Sequence, residues 1–311
     1  MGNWEELASK DIGITSTLGA VMLSVGSIPD LRGPVIFVGS DYSGSHCGSA
    51  YEVYAVLLVD SIGCRQLIEV RRLLRPLLGS RRMSYKGLND GQKRRALLPF
   101  LSNADEISGV CLAVAVAKSA ATLFQWDTAG IDPGLLPCLE WGRSVSERAL
   151  RIVHFVSFFL AGVSSPGQDV LWFTDEDEIA ANDLRLTFLT KLFANVSSHY
   201  LLHDLRHVRC GTTRCDNGSN EIEDLTAIPD LAAGAVSQLL TSAEGRVRTG
   251  IITSFSLQAK TKDILIGRWL SNQQCNLKKI ILRIEPEASS QRLSIAQMRF
   301  WEISDCRSVR L

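Results

Sequence analysis

Three aspartates in this sequence stand where folded chains gather reactive side chains. Asp41 comes at the polar end of the apolar run 35–38, Asp175 directly follows the run 169–174, and Asp230 precedes a stretch of small residues. If the two runs are neighbouring strands, Asp41 and Asp175 emerge side by side, and the small residues let a helix carrying Asp230 approach them. Carboxylate oxygens are the ligands that hard divalent cations prefer. The pattern therefore predicts a site for Mg²⁺ or Mn²⁺.

Phosphodiester hydrolysis is the chemistry that needs such a cluster. Two metal ions about 3.5–4 Å apart generate the attacking hydroxide and stabilise the leaving oxygen. Each aspartate also has a simpler interpretation: Asp41 starts a turn, Asp175 is one of several solvated acids, and Asp230 complements a helix dipole. The sequence leaves both interpretations open for each residue taken singly.

A strongly basic segment is hidden by the net charge of zero. Residues 65–95 hold ten basic side chains against two acidic ones, a local charge of +8. Such a cluster is typical of surfaces that bind polyanions, although a solvated helical face is an equal alternative. The interpretation as a nucleic-acid site assigns the phosphate contacts to Arg81, Arg82, Lys86, Arg94 and Arg95.

The elements that would position these residues mix strands and helices. Apolar runs predict strands at 35–38, 51–59, 110–116, 169–174 and 278–284, of which the first two form an antiparallel pair joined by a glycine-rich turn at 44–48. Helical spacing predicts helices at 92–101, 144–162 and 183–196, the second begun by the capping-box pattern of 144–147. Pro229 predicts a further helix that starts beside Asp230. The predicted class is α/β.

The predicted domain organisation has three parts. Turn signals at 28–30 and 33–34 place the start of the folded core near Val35, so 1–34 is an N-terminal extension. The main domain covers 35–240. The pattern changes beyond Thr241, and 241–311 is predicted as a smaller C-terminal appendage, through which a protein partner or a second copy of the chain could bind.

Three segments of the sequence resemble a known family. Val35 to Gly44 resembles the opening strand of the bacterial family named domain of unknown function 3800, whose members usually show Asp-Glu-Ser-Gly there. Residues 225–236 resemble its late helix motif of Ala-Asp-Leu-Ile-Ala-Gly type, and 171–175 falls where the family has a strand that ends in Asp. The three motifs come in the family's order.

This resemblance implies a ribonuclease-H-like fold and a metal-dependent nuclease, with Asp41, Asp175 and Asp230 as catalytic metal ligands. Tyr42 stands where the family has Glu, so one carboxylate is missing. Four acidic residues are candidates to replace it: Glu52, Glu106, Asp177 and Glu178. Lys86 falls where similar proteins have a lysine before the first helix, and we expect it to face phosphate. A catalytically inactive ribonuclease-H-like binding subunit is the alternative function.

Other features favour a soluble cytoplasmic protein. Hydrophobic residues make up 46% and charged residues 21% of the chain, a globular rather than a disordered composition. The apolar run 152–163 is shorter than the roughly 20 residues a membrane span needs, so no membrane partner is expected. The eight cysteines are expected to be reduced, and Cys210 and Cys215 lack the second pair a zinc site requires. His199, His203 and His207, four residues apart, are expected to be structural or surface groups.

Overall fold

A mixed sheet of seven strands forms the centre of the molecule in the computed structural model, which describes residues 3–10, 14–79, 81–120, 123, 141–242, 259–287 and 292–300. The strand order is β5-β4-β1-β2-β3-β6-β7. The pairs β1 with β4, β4 with β5 and β3 with β6 are parallel, and the other pairs are antiparallel. The strands are β1 (Val35–Ser43), β2 (Tyr51–Asp60), β3 (Gly109–Ala117), β4 (Asp169–Thr174), β5 (His207–Thr212), β6 (Leu277–Pro286) and β7 (Leu293–Met298).

Helices cover both faces of this sheet. The helices of the described chain are α1 (Trp4–Ser9), α2 (Thr15–Ser24), α3 (Ser61–Leu78), α4 (Gly91–Asp105), α5 (Arg143–Val163), α6 (Asp183–Tyr200), α7 (Glu221–Ser242) and α8 (Thr261–Ser271). One core lies between the sheet and α1, α2, α5 and α6, and a second lies between the sheet and α3, α4, α7 and α8. The predicted α/β class with a mixed sheet flanked by helices is confirmed.

The central strands follow from their apolar sequences. Every residue of β3 is buried, as expected for a strand with helices on both faces. The predicted antiparallel pairing of β1 with β2 is confirmed, and residues 44–50 make the connecting turn. The predicted strands at 110–116, 169–174 and 278–284 and the helices at 92–101, 144–162 and 183–196 are also present, with ends shifted by a few residues.

One local prediction needs correction, and one edge strand was missed. The capping-box interpretation of 144–147 is wrong, because the N-cap residue of α5 is Gly142, which makes no side-chain cap, and the Ser146 hydroxyl donates to the Trp141 carbonyl at 3.0 Å. Strand β5 was not predicted. Its residues alternate between exposed and half-buried, and it lies at the edge of the sheet, so no apolar run marks it.

The chain outside 35–240 also belongs to the folded core. Trp4, Leu7, Leu18 and Met22 of the predicted N-terminal extension are buried in the core beneath α5, so the core begins well before Val35. The predicted C-terminal appendage supplies α8 and the strands β6 and β7, which continue the same sheet from β3. Cys138 and Cys306, and the parts of 241–311 at 243–258, 288–291 and 301–311, lie outside the described residues.

Candidate active site

Two of the predicted aspartates lie side by side where two neighbouring parallel strands cease to pair. The pairing of β1 with β4 ends at Ser40 and Thr174. Asp41, which is still within β1, and Asp175, which follows the last residue of β4, come next. This position follows from the parallel pairing, since equivalent ends of parallel strands meet at one edge of the sheet. The two apolar runs are therefore neighbouring strands, which is the condition under which the sequence analysis expected these two carboxylates to lie side by side.

Helix α7 brings the third aspartate over this edge. The helix passes so close to β1 that a Cβ on Gly39 would lie 3.4 Å from the carbonyl oxygen of Leu225. Asp230 then lines one small pocket together with both strand-end carboxylates. The pocket is lined by Ser40, Asp41, Arg82, Met83, Asp175, Glu223, Thr226, Ala227 and Asp230.

Asp230 lies inside α7 and not at its start, which corrects the prediction drawn from Pro229. The helix begins at Glu221 because Asp216 caps it, accepting hydrogen bonds from the backbone N–H groups of Glu221 at 2.7 Å and Glu223 at 2.9 Å. Pro229 lies within α7 although it has no backbone N–H to donate to the carbonyl oxygen of Leu225. The interpretation of Asp230 as a helix-dipole residue is therefore wrong.

Glu223 is a fourth carboxylate in the pocket that the sequence analysis missed. It precedes Asp230 by seven residues, and a separation of two helical turns places both side chains on the same face of α7. Burial raises the pKa of Glu223, although the charge of Arg82 opposes this rise. The signal in the sequence was the seven-residue spacing, which becomes visible only when the helix is taken to begin at Glu221.

The four acids proposed to replace the missing carboxylate lie elsewhere. Glu106 is exposed before β3, and Asp177 accepts a hydrogen bond from the Tyr42 hydroxyl. Glu52 and Glu178 both form ion pairs with Arg148 on the α5 side of the sheet. None of the four lines the pocket.

Tyr42 itself faces away from the pocket. Successive residues of a strand point to opposite faces, so Tyr42 lies on the α5 side while Asp41 lies on the α7 side. Its ring contacts Tyr54 and the guanidinium of Arg148. The replacement of Glu by Tyr at this position therefore removes no carboxylate from the pocket, contrary to the expectation drawn from the resemblance.

Asp41 and Asp230 are the two most deeply buried carboxyl groups of the pocket, and both have raised pKa values. Burial raises the pKa of Asp41 well above its ordinary value, and the neighbouring charges of Asp230 and Asp175 add to the rise, whereas the hydrogen bond from the backbone N–H of Tyr42 opposes it. Burial also raises the pKa of Asp230, although the hydrogen bond from the backbone N–H of Tyr85 at 2.7 Å opposes this rise. Negative charge is therefore costly at this edge of the sheet.

Arg82 supplies the positive charge in the pocket. Its guanidinium donates to both oxygens of Asp175, at 3.2 and 3.4 Å, and the pair is partly exposed. Arg82 was predicted to bind phosphate, and it lines the same pocket as the three aspartates. A guanidinium is also the side chain best suited to bidentate binding of phosphate.

The donor chemistry of the pocket fits a hard divalent cation, since four carboxylates line it. Among the residues that the structure describes, no three His, Cys, Asp or Glu side chains are arranged closely enough to hold a metal ion as they stand. The guanidinium of Arg82 is the one cation among the pocket's lining residues, and it pairs with Asp175. A metal ion that used Asp175 as a ligand would have to compete with this contact.

Tyr85 connects the segment after α3 to the pocket. Its backbone N–H binds Asp230, and its hydroxyl donates to Asp263 of α8 at 2.5 Å. Its ring packs so tightly on α7 that a Cβ on Gly234 would lie 2.2 Å from it. Gly234 thus permits a close approach, but the residue that uses it is Tyr85 and not the strands for which the approach was predicted.

The basic segment is divided between the interior and the surface. Arg71 and Arg75 both bind the buried carboxylate of Asp224, so they hold α3 against α7 and are not available to a polyanion. Arg81 pairs with Asp90. Of the predicted phosphate-binding residues, Arg81, Lys86, Arg94 and Arg95 are exposed, and Arg82 is half-buried.

The three histidines do not share a helix face. Helix α6 ends at Tyr200, so His199 lies in its last turn, His203 in the following loop and His207 at the start of β5. His203 is within 3.1 Å of the Ser164 hydroxyl, and His207 is within 3.0 Å of Asp169. These contacts are structural, as the sequence analysis expected.

Comparisons with known proteins add little to this geometry. No family model matches the chain, and no curated protein matches it. Among solved structures, ribonuclease H2 from Pyrococcus horikoshii OT3 is similar at 12% identity and a TM-score of 0.34, over 76% of this chain and 85% of that one. The resemblance to the bacterial family stays a prediction. No helix in the described ranges is long and apolar enough to cross a membrane.

Proposed function

We propose that the chain is a metal-dependent nuclease that hydrolyses phosphodiester bonds in RNA or DNA. The observation that carries this proposal is the convergence of Asp41, Asp175 and Asp230 in one pocket from two strand ends and a helix. Carboxylates with raised pKa values in a cleft are typical of functional sites. A merely structural role for three widely separated aspartates does not require that they meet.

The pocket carboxylates would hold Mg²⁺ or Mn²⁺, with Glu223 as the fourth acidic ligand. When bound, the metal would lower the pKa of the attacking water and stabilise the leaving oxygen. Because only the ionised carboxylate is a ligand, the raised pKa of Asp41 would weaken metal binding at low pH.

Arg82 would act on the substrate. The Arg82 guanidinium, which donates to Asp175 in the structure, could donate instead to the non-bridging oxygens of the scissile phosphate if Asp175 served as a metal ligand. Tyr85 holds Asp230 in position through its backbone N–H. In this arrangement the scissile phosphate of the nucleic acid would lie between Arg82 and the carboxylates of the pocket.

A second candidate is a catalytically inactive binding subunit, and one observation favours it. The guanidinium of Arg82 already pairs with both oxygens of Asp175, so this carboxylate has a positively charged partner without any divalent ion. In that case the site would bind a strand through Arg82 and the acids would have a structural role.

A cleavage assay separates the two candidates. Purified protein is incubated with labelled single-stranded and duplex RNA and DNA and with the RNA–DNA hybrid, with Mn²⁺ or with chelator. We expect Mn²⁺-dependent cleavage of at least one substrate, and a loss of about 100-fold or more in Asp41→Asn and Asp230→Asn. Asp169→Asn is the matched control. Asp169 lies at the start of β4, whereas Asp175 follows the end of the same strand. Strand binding without cleavage in every condition would favour the inactive subunit.

A further inference from the structure

A cleft lies beside the start of the edge strand β5, away from the acidic pocket. Its volume is about 470 Å³, and it is formed by the end of α6, the loop that follows this helix and the start of β5. That volume is within the range of ligand-binding clefts, roughly 300–1,000 Å³. Most of the residues that line the cleft are apolar, namely Ala194, Leu201, Leu202, Leu205 and Val208. The cleft is therefore suited to apolar side chains.

Strand β5 is the last strand on this side of the described sheet. Its one neighbour there is β4, with which it pairs from His207 to Thr212. The outer edge of such a strand presents backbone N–H and C=O groups that can pair with a further strand. In recognition by strand addition, these groups bind the backbone of an extended peptide, and pockets next to the edge take its alternate side chains.

The two faces of β5 differ in chemistry. Val208 and Cys210 pack against the core on the α6 side, whereas His207 and Arg209 are exposed on the opposite face. A strand added to this edge has the same alternation of side chains between the two faces. Its side chains on the α6 side would enter the apolar cleft, and those on the other side would meet Arg209.

Arg209 determines which charge the added strand should carry. Its side chain is exposed and forms no ion pair within the part of the chain that the structure describes. Opposite charges on neighbouring strands stabilise a sheet, and like charges directly opposite each other destabilise it. The same rule disfavours a second copy of the chain, because two β5 strands paired antiparallel would bring both Arg209 side chains onto the same face of the joined sheet.

We propose that the outer edge of β5 binds an extended segment of a partner protein in which apolar residues alternate with acidic ones. The apolar side chains lie in the cleft against Leu201, Leu205 and Val208, and an acidic side chain pairs with Arg209. This site does not depend on the proposed nuclease function. It lies on α6 and β5, and not on residues 241–311, through which the sequence analysis expected a protein partner to bind.

The cleft and the acidic pocket are separate sites. Val208 is paired with Val170 of β4, and Asp175 comes five residues after Val170. At about 3.3 Å per residue along the strand, Val208 lies about 17 Å from Asp175. Peptide binding at the cleft can therefore be measured apart from metal binding and cleavage.

The test compares three short fluorescein-labelled peptides. Valine alternates with glutamate in the first and with lysine in the second, and the third has the composition of the first in shuffled order. Each peptide is titrated with the protein, and its fluorescence anisotropy is followed. We expect the wild type to bind the alternating acidic peptide about threefold or more tightly than either of the others. Binding should also slow amide hydrogen exchange in β5.

Two pairs of variants locate the bound peptide. Ala194→Trp fills the cleft from an exposed position on α6, and Asn195→Trp, which is also exposed but does not line the cleft, is its control. Ala194→Trp should weaken binding of the acidic peptide by about tenfold or more. Arg209→Glu should make the lysine peptide the tighter ligand, whereas Arg65→Glu, at an exposed position on α3, should keep the wild-type preference.

Equal affinity for the three peptides, or no binding of any of them by the wild type, would overturn the proposal. Equal losses in Ala194→Trp and Asn195→Trp, or an unchanged preference in Arg209→Glu, would also overturn it. If the wild type self-associates in sedimentation and Ala194→Trp abolishes this association, the edge belongs to a second copy of the chain, and the proposal is wrong.

Discussion

The guanidinium of Arg82 donates to both carboxylate oxygens of Asp175, at 3.2 and 3.4 Å, inside a pocket lined by three further acids. A metal ion at Asp175 has to compete with this contact. Arg82→Gln should therefore bind Mn²⁺ up to about fivefold more tightly, equivalent to about 1 kcal/mol for a partly exposed pair. Arg81→Gln, which loses only the surface pair with Asp90, is the control. Weaker Mn²⁺ binding by Arg82→Gln in calorimetry would show that Arg82 does not compete with the metal.

The raised pKa of Asp41 predicts a pH-dependent stability. Its folded-state pKa lies above the unfolded value of about 3.9, so the group stabilises the fold at low pH and this contribution is lost as the pH rises through the folded pKa. Asp41→Asn should therefore become increasingly more stable than the wild type in chelator as the pH rises from 5 to 8. Thermal unfolding across that range measures the difference.

Asp169→Asn is the control, because the stability contribution of Asp169 should depend on pH in the opposite direction to that of Asp41. The hydrogen bond from Arg206 holds the pKa of Asp169 well below its usual range, so this group stabilises the fold above its unfolded pKa and the contribution is lost at low pH. Its variant should be less stable than the wild type at neutral pH. A pH-independent difference for Asp41→Asn would contradict the raised pKa of Asp41.

The buried ion pairs of Asp224 should dominate the contact between α3 and α7. Asp224 is almost fully buried, and Arg71 binds it at 2.9 Å while Arg75 binds it from the next turn of α3. Asp224→Ala would leave two cations without their partner, and we expect a loss of about 3–5 kcal/mol in the free energy of unfolding. Glu221→Gln removes an exposed partner of Arg71 and should cost less than about 1 kcal/mol. Equal losses in urea unfolding would disprove the buried role.

Tyr42 should matter for stability and not for metal binding. Tyr42→Phe removes the hydrogen bond to the half-buried Asp177, which we expect to cost about 1 kcal/mol in the free energy of unfolding. Its Mn²⁺ affinity should stay within about twofold of the wild type, because the side chain lies on the α5 face. A larger change in calorimetric affinity would mean that position 42 communicates with the pocket.

The fold was predictable where burial leaves a continuous apolar run. Strands β1, β2, β3, β4 and β6 are of that kind, whereas edge strand β5 has polar residues on its exposed positions. The start of α7 was missed because Asp216 caps it from the preceding turn and no local pattern marks such a cap. The N-terminal helices were missed because their buried residues follow no clear period.

The site was predictable in part for a related reason. Asp41 and Asp175 could be inferred from strand ends, and Asp230 from its small neighbours. Glu223 depended on the true start of α7, and the inward contacts of Arg71 and Arg75 depended on the packing of α3 on α7. A charge count along the sequence cannot separate cations that face Asp224 from cations that face solvent.

Calorimetric titration with Mn²⁺ tests the central claim, that the acidic pocket holds a divalent metal ion, most directly. The wild type should bind Mn²⁺, and because burial raises the pKa of Asp41, this binding should tighten as the pH rises. Asp175→Asn and Asp230→Asn should each lose about tenfold or more in affinity, and Asp169→Asn should bind like the wild type. Equal Mn²⁺ affinity in all four proteins, or no binding by the wild type, would contradict the account.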